Sequence, residues 1–222
     1  MPEPKVEIVV QAVDRASDTL NRIGSNLNVN LRRISMGLLL VGGTVTAFTG
    51  LAVKAAIDQR IAVDRLRGSL EFLGEDWEAQ RPKIEDLART VGEFSASSKK
   101  DLTIALDTLI NATGSLTLAA KALPAAAALA QGASLDLKGA TDLVVAALTG
   151  DKGALEALRR FGVDVSDPNN PFQVLTDIIK RFPPMPLSDI EKFKKSMGEF
   201  RVSVGNAVIP VLNEVFAALD PV

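Results

Sequence analysis

Apolar positions recur along this chain at helical intervals through most of its length. Ala16, Leu20, Ile23 and Leu27 are spaced by four, three and four residues, which puts them on one face of a helix beginning near Asp14. The rhythm returns at Val63, Leu66, Leu70 and Leu73, a heptad-like seam with Arg and Asp around it. It then predicts helices over Trp77–Phe94, Lys99–Thr113, Thr117–Gln131 and Leu137–Leu148. The punctuation agrees. Ser98 has Asp101 three residues on, and Ser134 and Asp136 precede the helix at Leu137, where capping side chains are wanted. Gly74, Gly114, Gly132 and Gly150 stand where helices should end. Asp151 should cap a short helix through Arg160, closed by Gly162. In the turn Asp167-Pro168-Asn169-Asn170-Pro171, the last proline suits a first helical position. Phe172, Leu175, Ile179 and Phe182 mark one more helical face.

Three stretches break this rhythm. Val6, Ile8 and Val10 alternate within a β-branched run and predict a short strand with no second strand to pair with. Such a strand either adds to a sheet in another chain or lies as an extended arm on its own helices. Residues 182–186 contain three prolines in Phe182-Pro183-Pro184-Met185-Pro186, an extended linker or elbow. Ser188 and Glu191 beyond it form a capping box for the last helix, which Pro210 should kink or split.

The third departure is Ile34–Val53, twenty residues without a formal charge. A helix of that length spans about 30 Å, the thickness of a bilayer core. Arg32, Arg33 and Lys54 flank it as head-group anchors. Four glycines and several Ser and Thr residues dilute its hydrophobicity. Gly43, Ala47 and Gly50 share a face that lets helices approach closely, in a membrane or outside one. A buried or oligomer-seam helix, a permanent anchor and a conditional inserter all remain open. The expected fold is all-α: an elongated multi-helix array with one short N-terminal β-strand and one apolar helix. Its divisions are 1–33, 34–74, 75–182, a linker at 183–187, and 188–222.

Composition narrows the chemistry. Hydrophobic residues make up 47% and aromatics 5%, which favours helix-on-helix packing by small aliphatic side chains. A net charge of −2 provides no basic field to recruit nucleic acid. His and Cys are both absent, which excludes disulfides, imidazole or thiolate metal sites and every nucleophile that relies on histidine. No secretory signal is visible, because the first apolar run follows a charged amphipathic segment. Ser97-Ser98-Lys99-Lys100 carries a Ser-x-x-Lys spacing without its companion motifs, and Ser98 has better use as a cap. Asn111-Ala112-Thr113 matches a glycosylation acceptor at a helix end, read as coincidence. Gly150-Asp151-Lys152-Gly153 lacks the spacing of a phosphate loop. The clusters at Lys99-Lys100, Arg159-Arg160 and Lys192 with Lys194-Lys195 are solvated faces able to touch phosphates only weakly. No catalytic, cofactor-binding or metal-binding set emerges.

Several segments, in order, resemble the N-terminal region of tape measure proteins of tailed bacteriophages. Val10, Ala12, Asp14, Ala16, Ser17 and Leu20 look like that family's opening, followed by an apolar helix. Leu70-Glu71-Phe72-Leu73-Gly74 leads into Leu87-Ala88-Arg89 and Phe94-Ser95-Ala96-Ser97. Ala128 to Ser134 is similar to the family's helix–glycine–serine step. Leu148 to Asp151, with Leu155, Leu158, Phe161, Gly162 and Val163, looks like its Gly-Asp helix, and Gly205 to Leu212 like its late motif. The resemblance implies a virion structural protein, not an enzyme, that is assembled in the host cytoplasm. It would occupy the tail-tube lumen, template tail length and leave before DNA passes. Implied partners are further copies of itself as a homo-oligomer, the tail tube protein, tail tip or baseplate proteins, tail assembly chaperones and the host inner membrane. Contact with DNA would be transient at most. As one helix the chain would reach at most about 330 Å, and it contains no long helical stretch. The expectation is therefore a piece of a longer protein or a short tail. A membrane-active helical protein of holin or pore-forming type is the alternative.

Overall fold

In a computed structural model the backbone is described from Val45 to Leu219, and the side chains from Gly50 to Pro210 with Asn213. Among the described residues there are eight helices and no strand: α1 (Val45–Phe72), α2 (Trp77–Gly92), α3 (Lys99–Thr113), α4 (Leu116–Gly132), α5 (Leu137–Leu148), α6 (Lys152–Arg160), α7 (Pro171–Arg181) and α8 (Asp189–Leu219). The expected strand with Val6, Ile8 and Val10, the helix from Asp14, and Ile34 to Thr44 lie outside the described residues. The chain forms two compact units. Residues 60–196 make one, and residues 1–59 with 197–222 make the other.

The 60–196 unit is built around α4. Its sequence, LTLAAKALPAAAALAQG, has almost no polar face, and a helix that is apolar all round has to be enclosed. Every residue from Ala125 to Ala130 is buried, and α2, α3, α5 and α7 pack around the helix. Alanine side chains let these neighbours approach closely, while Leu102, Leu106, Leu109, Leu123, Leu129, Leu158 and Ile178 fill the space between them. From the heptad-like face of α1, Leu66 and Leu70 join this same core, with Leu73 at its edge. Ser69 on α1 donates from its hydroxyl to the Asp107 carboxylate on α3, and the Asn111 amide donates to both. The Asn of the acceptor-like tripeptide thus ties α3 to α1.

The helix ends are satisfied locally. Asp76, Ser98, Ser115, Asp136, Asp151 and Asn170 each accept a backbone N–H from the first turn they precede. Ser98 and Asp101 complete a capping box, as do Ser188 and Glu191. Gly74, Gly114, Gly150 and Gly162 close helices in the left-handed conformation. Gly132 was expected to do the same, but Ser134 takes the left-handed position there, at φ 55°. Gly132 has a different reason to be glycine. The Phe182 ring lies against its Cα, and a Cβ there would sit 3.0 Å from Phe182 Cε1, with two other ring carbons closer still.

The proline elbow is fastened to this unit. Gln131 donates from its side-chain amide to the Met185 carbonyl (3.2 Å), and its side-chain oxygen accepts from the Met185 N–H (3.4 Å). Leu187 is buried. Lys195 on α8 donates to the carbonyl of Gly92, where α2 ends. Pro210 does not split the final helix: α8 runs unbroken through it to Leu219. The missing N–H costs one rung of the ladder, at Asn206, which the flanking turns tolerate.

Asp177 is the only buried carboxylate among the described residues. It accepts from the Ser166 N–H (3.3 Å), the Ser166 hydroxyl (3.0 Å) and the Gln173 amide (2.7 Å), and pairs with Lys180 (3.5 Å). Burial pushes its carboxyl up. The hydrogen bonds from Gln173 and Ser166 and the Lys180 charge outweigh that and hold it below the ordinary aspartate value. The folded chain therefore binds this proton less readily than the unfolded chain. The resulting stabilisation is full above the unfolded pKa of about 3.9 and is lost as pH falls through the lower folded value. Asp177→Asn should destabilise the 60–196 unit at neutral pH by about 1–3 kcal/mol. The difference from wild type should shrink as pH falls below about 5. Urea midpoints across that pH range check this, and a pH-independent difference would contradict the charge argument. Gly132→Ala should cost about 1–3 kcal/mol by forcing Phe182 aside, read in the same titration.

Candidate functional site

In the unit formed by residues 1–59 and 197–222, the described part is a crossing of α1 and α8. Ala52 and Ala56 on α1 are fully buried, one helical turn apart. On α8, Gly205 is buried against them. A Cβ at Gly205 would fall far inside van der Waals contact distance of the Ala52 carbonyl oxygen and 2.7 Å from the Ala56 methyl. The backbones touch because all three residues are small, and Phe200, Val204 and Val208 close the contact on either side with Val53. This crossing uses the end of the apolar stretch, at Ala52 and Val53, and the start of the Gly205 to Leu212 motif, at Gly205 and Val208.

Of the three predicted seam residues, the one with a described side-chain position, Gly50, is not part of this crossing. Gly50 is exposed and has open space where a Cβ would be. It lies roughly 200° around α1 from Ala52, so the face turned to α8 is nearly opposite the one the spacing singled out. Leu51 and Ile57 are also exposed, at 56% and 44%. Ala47 belongs to α1, but its side chain, like Gly43, Arg32 and Arg33, lies outside the described residues. Lys54 is exposed and pairs with Asp58 one turn on (3.4 Å). The signal that could have found the crossing was Ala52-x-x-x-Ala56, a small-x-x-x-small spacing shifted two residues from the glycine pattern.

The 60–196 unit carries an open groove of about 780 Å³. Its walls are the Asp101–Thr108 face of α3 and the first turns of α5, with Ser134, Leu135 and Asp136 between, and its floor is Ala127 and Ala130 of α4. The floor is low because alanine is short. Four carboxylates line it, from Asp101, Asp136, Asp142 and Glu191, against a single cation, Lys138. Lys138 pairs with Asp142 (2.6 Å), and that hydrogen bond and charge raise its pKa. The hydrogen bonds from the Ser188 hydroxyl and N–H lower that of Glu191. Both groups are therefore charged at neutral pH, and the groove is acidic with an apolar floor and one exposed aliphatic wall residue, Ile104.

Nothing in this arrangement assembles a reacting centre. Ser98 is committed to capping α3, and among the described residues no group of His, Cys, Asp or Glu is placed to hold a metal ion. No helix of the described residues is long and apolar enough to cross a membrane. Comparison with protein-family models, with curated proteins and with solved structures returned no match.

Gly205→Ala should separate α1 from α8 and cost about 1–3 kcal/mol of local stability. Hydrogen exchange should accelerate at residues 52–56 and 204–208 while the core amides of α4 keep their protection. Unchanged exchange at both segments would show that the crossing is not close-packed.

Proposed function

We propose that this chain is a structural protein of a phage tail, of tape measure type, which acts by packing helices against copies of itself and against tail proteins. The carrying observation is the order of motifs from Val10 through Leu212 that resembles the N-terminal region of that family. Two features support the reading. The start of the Gly205–Leu212 motif and the end of the apolar stretch meet in a backbone-close crossing, a device for building rigid helical assemblies. The remaining small-residue face of α1, at Gly50, together with exposed Leu51 and Ile57, is left for another surface.

In this reading the N-terminal strand of Val6, Ile8 and Val10 adds to a neighbouring sheet, and an elongated array of helices lies in the tube lumen. Self-association comes first, then contact with tube, tip or baseplate proteins and with assembly chaperones. Release at DNA ejection brings Ile34–Val53, with Arg32, Arg33 and Lys54, against the host inner membrane.

Mass spectrometry of purified virions tests the assignment. Peptides of this sequence should be present in intact particles and depleted after triggered ejection. Their absence from intact particles would end it. The membrane step has its own check: full chain added to anionic vesicles should release an entrapped dye, and Gly43→Leu with Gly50→Leu should alter that release. Intact vesicles under every release condition would remove the step and leave the structural role standing.

A further inference from the structure

The acidic groove has a counterpart in the chain's own sequence. Cations of the described helices are commonly neutralised within one turn: Lys54 by Asp58, Arg67 by Glu71, Arg81 by Glu85, Lys138 by Asp142, Arg160 by Glu156. From Thr19 to Ile57 there is no carboxylate at all, while Arg22, Arg32, Arg33 and Lys54 lie within that span. Arg32 and Arg33 therefore have no acid at helical spacing on either side. In the groove the imbalance is reversed. Asp101 and Asp136 have no Lys or Arg three or four residues away, and Lys138, the single cation there, is already paired with Asp142.

We propose that the groove between α3 and α5 is a docking site for the basic apolar segment Leu20–Met36 of a second copy of this chain. Arg32 and Arg33 are set against the carboxylates of Asp101, Asp136 and Glu191. Aliphatic side chains among Leu27, Val29, Leu31 and Ile34 lie on the alanine floor and against Ile104. The volume is that of a site for a few side chains, matching a short stretch of helix or extended chain. Guanidinium groups suit it better than ammonium groups, because they meet carboxylates in bidentate fashion and stack over apolar surface. The caps formed by Asp136 and Glu191 orient their carboxylates; Lys194 sits close enough to Glu191, and Lys138 to Asp136, to offset part of their charge, while Asp101 has no such cation at helical spacing. The inference rests on the self-association part of the proposed function and supplies the site through which it occurs.

The test uses full chain carrying a photoreactive phenylalanine analogue at Ile104, mixed with isotopically heavy full chain. On irradiation, the cross-linked peptide should join Ile104 of one isotope to residues 20–36 of the other. The yield should fall at least tenfold in Asp101→Asn with Asp136→Asn, which keeps a capping side chain at both positions, and in Arg32→Gln with Arg33→Gln. It should also weaken as salt rises. Links confined to one isotope would place the segment in its own copy and overturn the second-copy assignment. Links to another region, or yields indifferent to both variant pairs, would overturn the site. Sedimentation of the same samples separates the two levels. A self-associating chain without this cross-link loses the inference alone. A chain monomeric at every concentration loses the self-association reading, and the inference with it.

Discussion

A helix with no polar side has to be surrounded, and α4 imposes that requirement on the whole 60–196 unit. Its eight alanines and four leucines leave only Lys121 and Gln131 as long polar side chains. Lys121 reaches the exposed Phe172 ring, 4.4 Å from its centroid, and Gln131 holds the proline elbow. Most of the rest of the helix is apolar and is covered by α2, α3, α5 and α7, which pack around it. Alanine also limits what burial alone can contribute, since each methyl removes little area from water. The larger return comes from closeness, with the neighbouring leucines and valines filling the space between backbones that alanine allows to approach.

The same choice of small residues recurs at Ala52, Ala56 and Gly205. There it brings two backbones into contact instead of seating four neighbours around one helix. It also sets the groove, whose floor is low because Ala127 and Ala130 present only methyl groups between the longer side chains of α3 and α5. One compositional habit thus gives the molecule both its core and its concavity. Surface charge is handled by a different rule. Exposed pairs at i and i+4 contribute little stability each, but they cancel local charge, so a place where they are missing is chemically distinct from the rest of the surface.

Helix existence and helix ends were legible because their causes are local. Ser98 with Asp101, Asp151, Asn170 before Pro171, and Ser188 with Glu191 satisfy donors within a turn of themselves, and α3 and α5 fall where the spacing put them. Gly132 shows where local reading stops. It looks like a helix terminator, yet its lack of a side chain answers to Phe182, a residue in a different segment, and Ser134 carries the backbone turn. The elbow is a second case. Proline content predicts extended backbone correctly but says nothing of the Gln131 side chain that fastens it.

The candidate sites were less readable for the same reason. Periodicity shows that a helix has a small face; it does not say which of two small faces meets a partner within the chain. Gly43, Ala47 and Gly50 were the more conspicuous set, but within the chain α8 lies against Ala52 and Ala56, where Gly205 permits the close approach and Phe200, Val204 and Val208 pack beside it. Choosing between the faces needed knowledge of α8, which no pattern within α1 contains. The groove was invisible for a related reason: its carboxylates are spread over three segments, and each has a sufficient local reading as a cap or an ion pair. Only their convergence over the alanine floor gives them a common field, and only the carboxylate-free run from Thr19 to Ile57 gives that field a counterpart.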